Sequence, residues 1–227
     1  MAEGAIFLNS GPLFNGDRLE TLEDTPEWTA VEDEARLAFT RVKESFEKHA
    51  TLLAGRPSAE ETSYFMVNPS LHALGFMHSV SELIEVAPEQ TARVDYVLFS
   101  GAMPFRDAEP ARGTLGFFHD SIGIVRSVEW AYDLDQTVDE GDGLHPAQEL
   151  DLLLTTTGRD YGILTNGCDW RLYHRATSGQ LQTWFQADMI AAIKSDFEDF
   201  KRFYLLFRKD AFLKDDSGES FVDRMLQ

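Results

Sequence analysis

Residues 161–174, Tyr-Gly-Ile-Leu-Thr-Asn-Gly-Cys-Asp-Trp-Arg-Leu-Tyr-His, contain the strongest turn signal in this chain. Asparagine followed by glycine readily adopts the backbone of a two-residue hairpin turn. The segments on either side, 161–165 and 170–174, are short and rich in the aromatic and aliphatic residues typical of strands. The sequence therefore predicts two strands joined at Asn166-Gly167.

Further strands and a helix extend outward from this hairpin. Apolar runs predict additional strands at 79–86, 93–99, 122–130 and 181–186. A helix is predicted to start at Pro146 and to end at the threonines 155–157, just before the hairpin. This order predicts an α/β domain with a central mixed β-sheet of about five strands, flanked by helices.

Both ends of the chain outside this core have their own patterns. Thr25 and Pro26 predict the start of a long helix, whose apolar residues recur every three or four positions as far as Leu53. Asp188 predicts the start of a C-terminal helix with a broad apolar stripe that ends near Lys209. Residues 1–24 show little periodicity and predict an irregular arm.

Two shorter signals lie between these elements. Ser58 and Glu61 predict a capping box that opens a second helix, which Asn68-Pro69 is expected to interrupt. Residues 136–145, rich in Asp, Glu and Gly, predict a loop.

The composition is acidic. Of 227 residues, 39 are acidic and 20 are basic, giving a net charge of -19. This excess excludes a broadly basic nucleic-acid-binding surface. Lysine is scarce, at 6 residues against 14 arginines, and none lies between Lys48 and Lys194. Two interpretations stay open: a halophile protein adapted to a salt-rich cytoplasm, where charge repulsion is screened, or an ordinary acidic solvated surface.

The sequence also indicates in which cellular compartment the protein is expected. No apolar run has the length of a membrane span, and the N-terminus lacks the basic start of a signal peptide. The single cysteine, Cys168, excludes a disulfide framework and a cysteine-rich zinc site. We therefore expect a cytoplasmic protein without a membrane partner.

An acidic residue beside a predicted hairpin provides the first candidate for catalysis. Asp95 lies in the strand at 93–99, and a central strand follows about thirty residues later. This arrangement is typical of metal-dependent phosphodiesterases, in which carboxylates hold Mg²⁺ against the scissile phosphate and a lysine positions the attacking water. Asp95 is therefore a candidate catalytic residue and metal ligand.

At this point the sequence resembles a known family. Residues 93–99, Arg-Val-Asp-Tyr-Val-Leu-Phe, resemble the Pro-Asp-Tyr-Ala-Leu-Phe segment of the PD-(D/E)XK nuclease-like domain at the N-terminus of type IIG restriction enzymes. Those enzymes fuse an endonuclease to an adenine-N6 DNA methyltransferase, and related phage-defence methyltransferases carry similar regions. Residues 161–173 resemble the family's W-G-I-L-T-N-G-x-x-W-R-L-Y, and further similarity covers 68–76 and 197–212.

The resemblance implies a restriction-endonuclease-like sheet and a division of the chain. It places an N-terminal arm and long helix at 1–57, a nuclease-like core at 58–187, and a C-terminal helix at 188–227 that leads toward an absent methyltransferase domain. The chain has neither a glycine-rich S-adenosylmethionine loop nor an N-P-P-Y motif. It is therefore not expected to act as a methyltransferase by itself.

The chain departs from the family at the next catalytic motif, E-A-K-x-W-x-x-x-L-D. Alignment on Leu134-Asp135 places Arg126 at the glutamate and Val128 at the lysine, with Trp130 in register. The family's glutamine corresponds to Gln148 or Glu149. Both catalytic positions of E-x-K are thus lost in this register, and arginine is a poor substitute for the compact ammonium group of lysine.

A shifted register leaves an enzyme hypothesis open. Glu129 could serve as a displaced catalytic acid, although Ala131 then stands at the lysine position. The fold would then have to bring Lys48 or Lys194 close to Asp95 and Glu129. Under this alternative the chain is a Mg²⁺-dependent DNA endonuclease with a migrated lysine; otherwise no cofactor is expected.

Three functions follow from these observations. The first is a catalytically degenerate nuclease-like domain of a restriction-modification or phage-defence system, acting in DNA engagement, regulation or docking to a methyltransferase. The second is the endonuclease. The third is an acidic DNA mimic, since residues 58–150 carry 16 acidic and 4 basic side chains. Candidate DNA or partner contacts, which could equally be solvated surface residues, are Arg171, Arg175, Lys201 and Arg202.

Overall fold

The computed structural model describes residues 5–136 and 143–227. Within these residues, seven strands form one mixed sheet, in the order β1-β7-β6-β5-β4-β3-β2. Strands β4 and β5 pair in parallel, and the other neighbours pair antiparallel. The strands are β1 Phe7–Ser10, β2 Met77–Ala87, β3 Gln90–Phe99, β4 Gly123–Ser127, β5 Tyr161–Thr165, β6 Asp169–His174 and β7 Trp184–Asp188.

Helices precede, interrupt and follow the strands. They are α1 Gly16–Glu20, α2 Pro26–Ala30, α3 Glu32–Ala54, α4 Ala59–Thr62, α5 Asn68–Ala73, α6 Ala102–Ala108, α7 Pro146–Thr157, α8 Arg175–Ser178, α9 Met189–Ser195, α10 Phe197–Phe207 and α11 Phe221–Met225. None of the helices in the described part of the chain combines the length and the apolar composition needed to cross a membrane.

The α/β class, the central mixed sheet and the flanking helices are confirmed. The hairpin at 161–174 is confirmed as β5 and β6, which pair antiparallel. Its turn is held by Asn166, whose side-chain oxygen accepts hydrogen bonds from the amides of Cys168 at 2.8 Å and Asp169 at 2.7 Å. Gly167 has φ +83°, a left-handed conformation that favours glycine.

Two apolar clusters cover the two faces of the sheet. One contains side chains of α3, α5 and α10 packed on residues such as Tyr96 and Val125. The other contains side chains of α7, together with Ile124 and Val128. The first cluster draws residues from all three segments of the predicted division, for example Val42, Leu172 and Phe203, so these segments share one core.

The prediction of an irregular arm is wrong for Phe7–Ser10. These residues form β1, which pairs with Trp184–Asp188 at the edge of the sheet. A four-residue strand is too short to show periodicity, and its conformation depends on a partner far along the chain. With β1, the sheet exceeds the expected five strands. The strand predicted at 181–186 begins only at Trp184, because Leu181 has φ +57° in the preceding turn.

The predicted helices are also divided differently. The long N-terminal helix is interrupted at Val31, between α2 and α3. The C-terminal helix is two helices, because extended Asp196 caps α10 by accepting a hydrogen bond from the Asp199 amide at 2.9 Å. The expected interruption at Asn68-Pro69 is wrong: a π-helical turn, Ser63–Val67, joins α4 directly to α5.

Helix α7 forms the crossover between the parallel strands β4 and β5. It begins at Pro146, as predicted, and His145 caps it by accepting a hydrogen bond from the Ala147 amide at 3.1 Å. Of the predicted loop 136–145, residues 137–142 lie outside the described residues.

Gly167 and Gly218 provide a matched test of packing at the hairpin turn. Both have a positive φ, +83° and +84°. A Cβ at Gly167 would lie 2.8 Å from Trp130 and 2.9 Å from Thr62, whereas nothing lies within 4 Å of one at Gly218. We expect Gly167→Ala to lower the free energy of unfolding in urea by about 2 kcal/mol more than Gly218→Ala. Equal losses would contradict the packing of this turn.

Candidate functional site

Asp95 lies on β3 with its side chain only 8% exposed. One carboxylate oxygen accepts a hydrogen bond from Arg93 Nε at 3.0 Å. The other accepts two, from Arg126 Nη1 at 2.6 Å and from the Ser127 amide at 2.8 Å. Both oxygens are therefore engaged by protein donors, as a buried carboxylate requires.

Arg126 connects Asp95 to a second carboxylate. It lies on β4, and its Nε donates a hydrogen bond of 2.6 Å to Glu149 on α7. Burial opposes the charged form of Arg126, but the charges and hydrogen bonds of Asp95 and Glu149 prevail and raise its pKa. A single guanidinium thus links two carboxylates that come from different elements.

The pairing of β3 with β4 accounts for this contact. Tyr96 pairs with Val125, so Asp95 and Arg126 are the next residues on two antiparallel strands. Residues two apart on a strand share a face of the sheet. Val128, two positions after Arg126, belongs to the apolar cluster beneath α7. The two positions aligned with the family's E-x-K motif are therefore Arg126, in contact with Asp95, and a buried valine.

These residues do not fit a divalent cation. A metal bound by Asp95 would have to displace Arg93 or Arg126 from its oxygens, and it would meet the positive charge of Arg126 where the family motif has an acid. Across the described residues, no group of three or more His, Cys, Asp or Glu side chains is arranged to hold a metal ion. The site contains a protein cation instead.

The remaining catalytic candidates lie elsewhere. Glu129 is exposed and follows the end of β4 by two residues, and within the described residues its side chain has no hydrogen bond or ion pair with Asp95 or Arg126. Lys48 is exposed on α3, and the Lys194 ammonium lies 4.9 Å from the centre of the Phe46 ring. In the described part of the chain, both cations that touch Asp95 are arginines.

A cavity of about 270 Å³ opens beside Asp95. The helical segment from α4 through the π-helical turn contributes one wall, and β2 and β3 contribute the other. Ser63 of the π-helical turn is fixed to β4 by a hydrogen bond of 2.9 Å between its hydroxyl and that of Ser127. Lining residues include Ser63, Tyr64, Asn68, Arg93, Tyr96 and Ser127.

His78 contacts Asn68, one of the residues that line the cavity. Its Nε2 hydrogen-bonds the Asn68 side-chain oxygen at 2.6 Å, and its ring packs against those of His72 and Tyr96. Its Nδ1 is buried and has no hydrogen-bond partner among the described residues. Burial, and secondarily the proximity of His72, lowers the pKa of His78 to about 4, so the ring is neutral at pH 7.

Two of the predicted DNA or partner contacts are buried cations paired with more exposed acids. Arg171 donates two hydrogen bonds to Asp135, at 2.9 and 2.8 Å. Lys201 contacts Glu32 at 2.5 Å. Their side chains are 5% exposed. In this arrangement neither Arg171 nor Lys201 presents its charge to an external ligand, because both serve the fold.

The other two predicted contacts lie nearer the surface. Arg175 pairs with Asp160 at 2.8 Å, and Arg202 pairs with Glu23 at 2.6 Å. Exposed pairs of this kind contribute at most about 1 kcal/mol, so either arginine can exchange its partner for a ligand. Arg175 and Arg202 stay predictions.

Sequence reasoning assigned no charge role to Glu149, which appeared only as a possible counterpart of the family's glutamine. Its position was nevertheless readable, because Pro146 marks the first turn of α7 and α7 follows the strand that carries Arg126. A carboxylate at this point can reach across to the end of the preceding strand.

Comparison with protein-family models, with curated proteins and with solved structures gives no match to this chain. The nuclease-like resemblance therefore stays a prediction. What the site can do follows from its own contacts.

We expect Asp95→Ala to lower the free energy of unfolding by about 3 kcal/mol, because it leaves the largely buried Arg126 with one carboxylate partner instead of two. A cycle with Arg126→Met should give a coupling energy of about 2 kcal/mol. Urea denaturation measures both. Asp160→Ala, which removes an exposed partner of Arg175, is the control and should cost less than about 1 kcal/mol. An unchanged or raised stability in Asp95→Ala would contradict the network.

The lowered pKa of His78 makes stability depend on pH. The unfolded chain binds a proton near pH 6.5, whereas folded His78 resists it down to about pH 4. Its contribution is therefore complete above pH 6.5 and is lost as pH falls toward 4, by up to about 3 kcal/mol. We expect His78→Gln to flatten the pH dependence of unfolding free energy in this window. His119→Gln, at an exposed site, should retain the wild-type slope; equal slopes in all three proteins would contradict the burial of His78.

Proposed function

We propose that this chain is a restriction-endonuclease-like domain that has lost its metal-dependent catalytic site and engages DNA within a restriction-modification or phage-defence system. Regulation of a methyltransferase subunit, or docking to one, belongs to the same proposal. The observation that carries it is the contact of Asp95 with Arg126, at the position where the family motif predicts a catalytic acid. The cellular setting rests on the sequence resemblance.

The arrangement of the strands supports the fold part of the proposal. Strands β2, β3 and β4 form an antiparallel meander, and α7 then crosses to the parallel strand β5. Asp95 lies on the middle strand of the meander, the aligned glutamate position Arg126 lies on the next strand, and the aligned lysine position Val128 directly follows that strand. This is the placement that the resemblance predicts for a metal-dependent phosphodiesterase, in which residues of two neighbouring strands meet at one phosphate.

The charges support the loss of catalysis. An active site of this class needs carboxylates free to bind a metal and a lysine free to position water. Here Asp95 and Glu149 are both engaged by Arg126. The endonuclease alternative would require Arg126 to release Asp95 and Glu149, and a lysine to move next to Asp95. The DNA-mimic alternative rests on the acidic composition alone.

Restoration of the missing motif tests the proposal. Arg126→Glu, in contact with Asp95, together with Val128→Lys, directly after β4, supplies the acid and the lysine at the aligned positions. We expect calorimetry to detect Mn²⁺ binding in this double variant and no Asp95-dependent binding in the wild type. Because Mn²⁺ would bind the folded variant and not the unfolded chain, Mn²⁺ at 100 times its Kd should also raise the free energy of unfolding by about 2.7 kcal/mol.

The matched control adds Asp95→Ala to the double variant and should lose this binding. Two results contradict the proposal. The first is Mn²⁺ binding by the wild type that disappears in Asp95→Ala, accompanied by plasmid nicking, which would favour the endonuclease. The second is a folded double variant that binds no more Mn²⁺ than its Asp95→Ala control.

A further inference from the structure

We propose that the cavity beside Asp95 binds one unstacked nucleobase of single-stranded DNA, with Tyr64 as the stacking surface and Arg93 as the contact to the adjacent phosphate. This inference rests on the proposed engagement of DNA and deepens it. It assigns a binding role to a surface next to the site that no longer suits a metal.

Tyr64 is an unusually exposed aromatic residue. It lines the cavity with 71% of its surface exposed. The ring packs edge-on against Phe65, with centroids 5.3 Å apart. The neighbouring Ser63 is tied to Ser127 of the sheet, so the π-helical turn that carries Tyr64 is anchored. A tyrosine presented in this way provides a stacking surface for any base, since every base has an aromatic face.

Arg93 provides a positioned cation at the same cavity. Its side chain is 45% exposed, and its Nε is held by Asp95 at 3.0 Å. Within the described residues, its two terminal nitrogens make no hydrogen bond or ion pair. The guanidinium is thus oriented through Nε and retains both terminal NH₂ groups for a phosphate, a geometry that costs little entropy on binding.

The cavity also offers groups that can read the edge of a base. Asn68 uses its oxygen to bind His78 and has no hydrogen bond from its amide nitrogen among the described residues. The hydroxyls of Ser63 and Ser127 lie at the same wall. The volume of about 270 Å³ is slightly below that of pockets for drug-sized ligands, which suits one flat base with its sugar.

Charge selects a single-stranded ligand. Arg93 is the one cationic residue in the described lining of this cavity, which also contains the carboxylates of Glu60 and Asp95, and the chain as a whole carries a net charge of -19. Tight attraction to the dense charge of a duplex is therefore not available here. Stacking has to supply most of the affinity, and a duplex keeps its bases paired and stacked. One phosphate contact also predicts a shallow dependence on salt.

Fluorescence anisotropy with a labelled oligothymidine of about ten nucleotides tests the inference. We expect the single strand to bind more tightly than a duplex of equal length. Tyr64→Ala should weaken binding about tenfold, whereas Tyr64→Phe should retain it. The slope of log K against log salt concentration should be about -0.7 and should vanish in Arg93→Gln. Leu52→Ala, at an exposed position of α3 outside the cavity, is the control and should bind as the wild type does.

Four results would overturn the inference. Unchanged binding of DNA by Tyr64→Ala would show that Tyr64 is not the stacking surface. A salt-dependence slope that corresponds to several phosphates would mean that DNA binds to another surface of the protein. A duplex bound as tightly as the single strand, with no effect of Tyr64→Ala, overturns the cavity as the site but leaves the proposed engagement of DNA intact. Absence of binding to both forms would overturn that engagement as well.

Discussion

The ion pair between Asp95 and Arg126 is the constraint on which the functional interpretation of this fold depends. It joins β3 to β4, and through Glu149 it joins both strands to α7, the crossover that makes β4 and β5 parallel. Burial of charge is costly unless every polar atom has a partner. Here the carboxylate oxygens of Asp95 are bonded by Arg93, Arg126 and a backbone amide, so a potentially repulsive cluster of acids becomes a satisfied network.

The identity of the cation matters as much as its charge. Arginine has a planar fork of donors that matches carboxylates and stays protonated, whereas lysine has a compact ammonium suited to positioning water. Under the proposed alignment, Arg126 stands where the family has a metal-binding glutamate, and in the structure it is bonded to Asp95. Fold alone does not determine function. In this chain a cavity with Tyr64 exposed at its edge lies directly beside the network.

Local patterns predicted much of this structure because the relevant interactions are local. The Asn166-Gly167 turn, the cap at Thr25 and the capping box of Ser58 with Glu61 are each determined by a few neighbouring residues. Features that depend on distant partners were missed. Strand β1 exists because it pairs with β7, and the buried Arg171 and Lys201 pair with acids 36 and 169 positions away. The helical wall of the cavity was not predicted because Asn68-Pro69 indicated a break in the helix. In the structure, a π-helical turn before Asn68 lets the helix continue through the proline.

The proposed loss of a metal site can be tested at a single amide. The Ser127 amide donates its hydrogen bond to Asp95, so a paramagnetic ion bound by that carboxylate would lie within a few ångströms of it. A titration of the wild-type protein with Mn²⁺, followed in amide NMR spectra, measures this directly. If Arg126 holds the place of a metal, the Ser127 signal keeps its intensity while amides near exposed acids broaden. Early and selective broadening of Ser127 that disappears in Asp95→Ala would contradict this interpretation and return the site to metal-dependent chemistry.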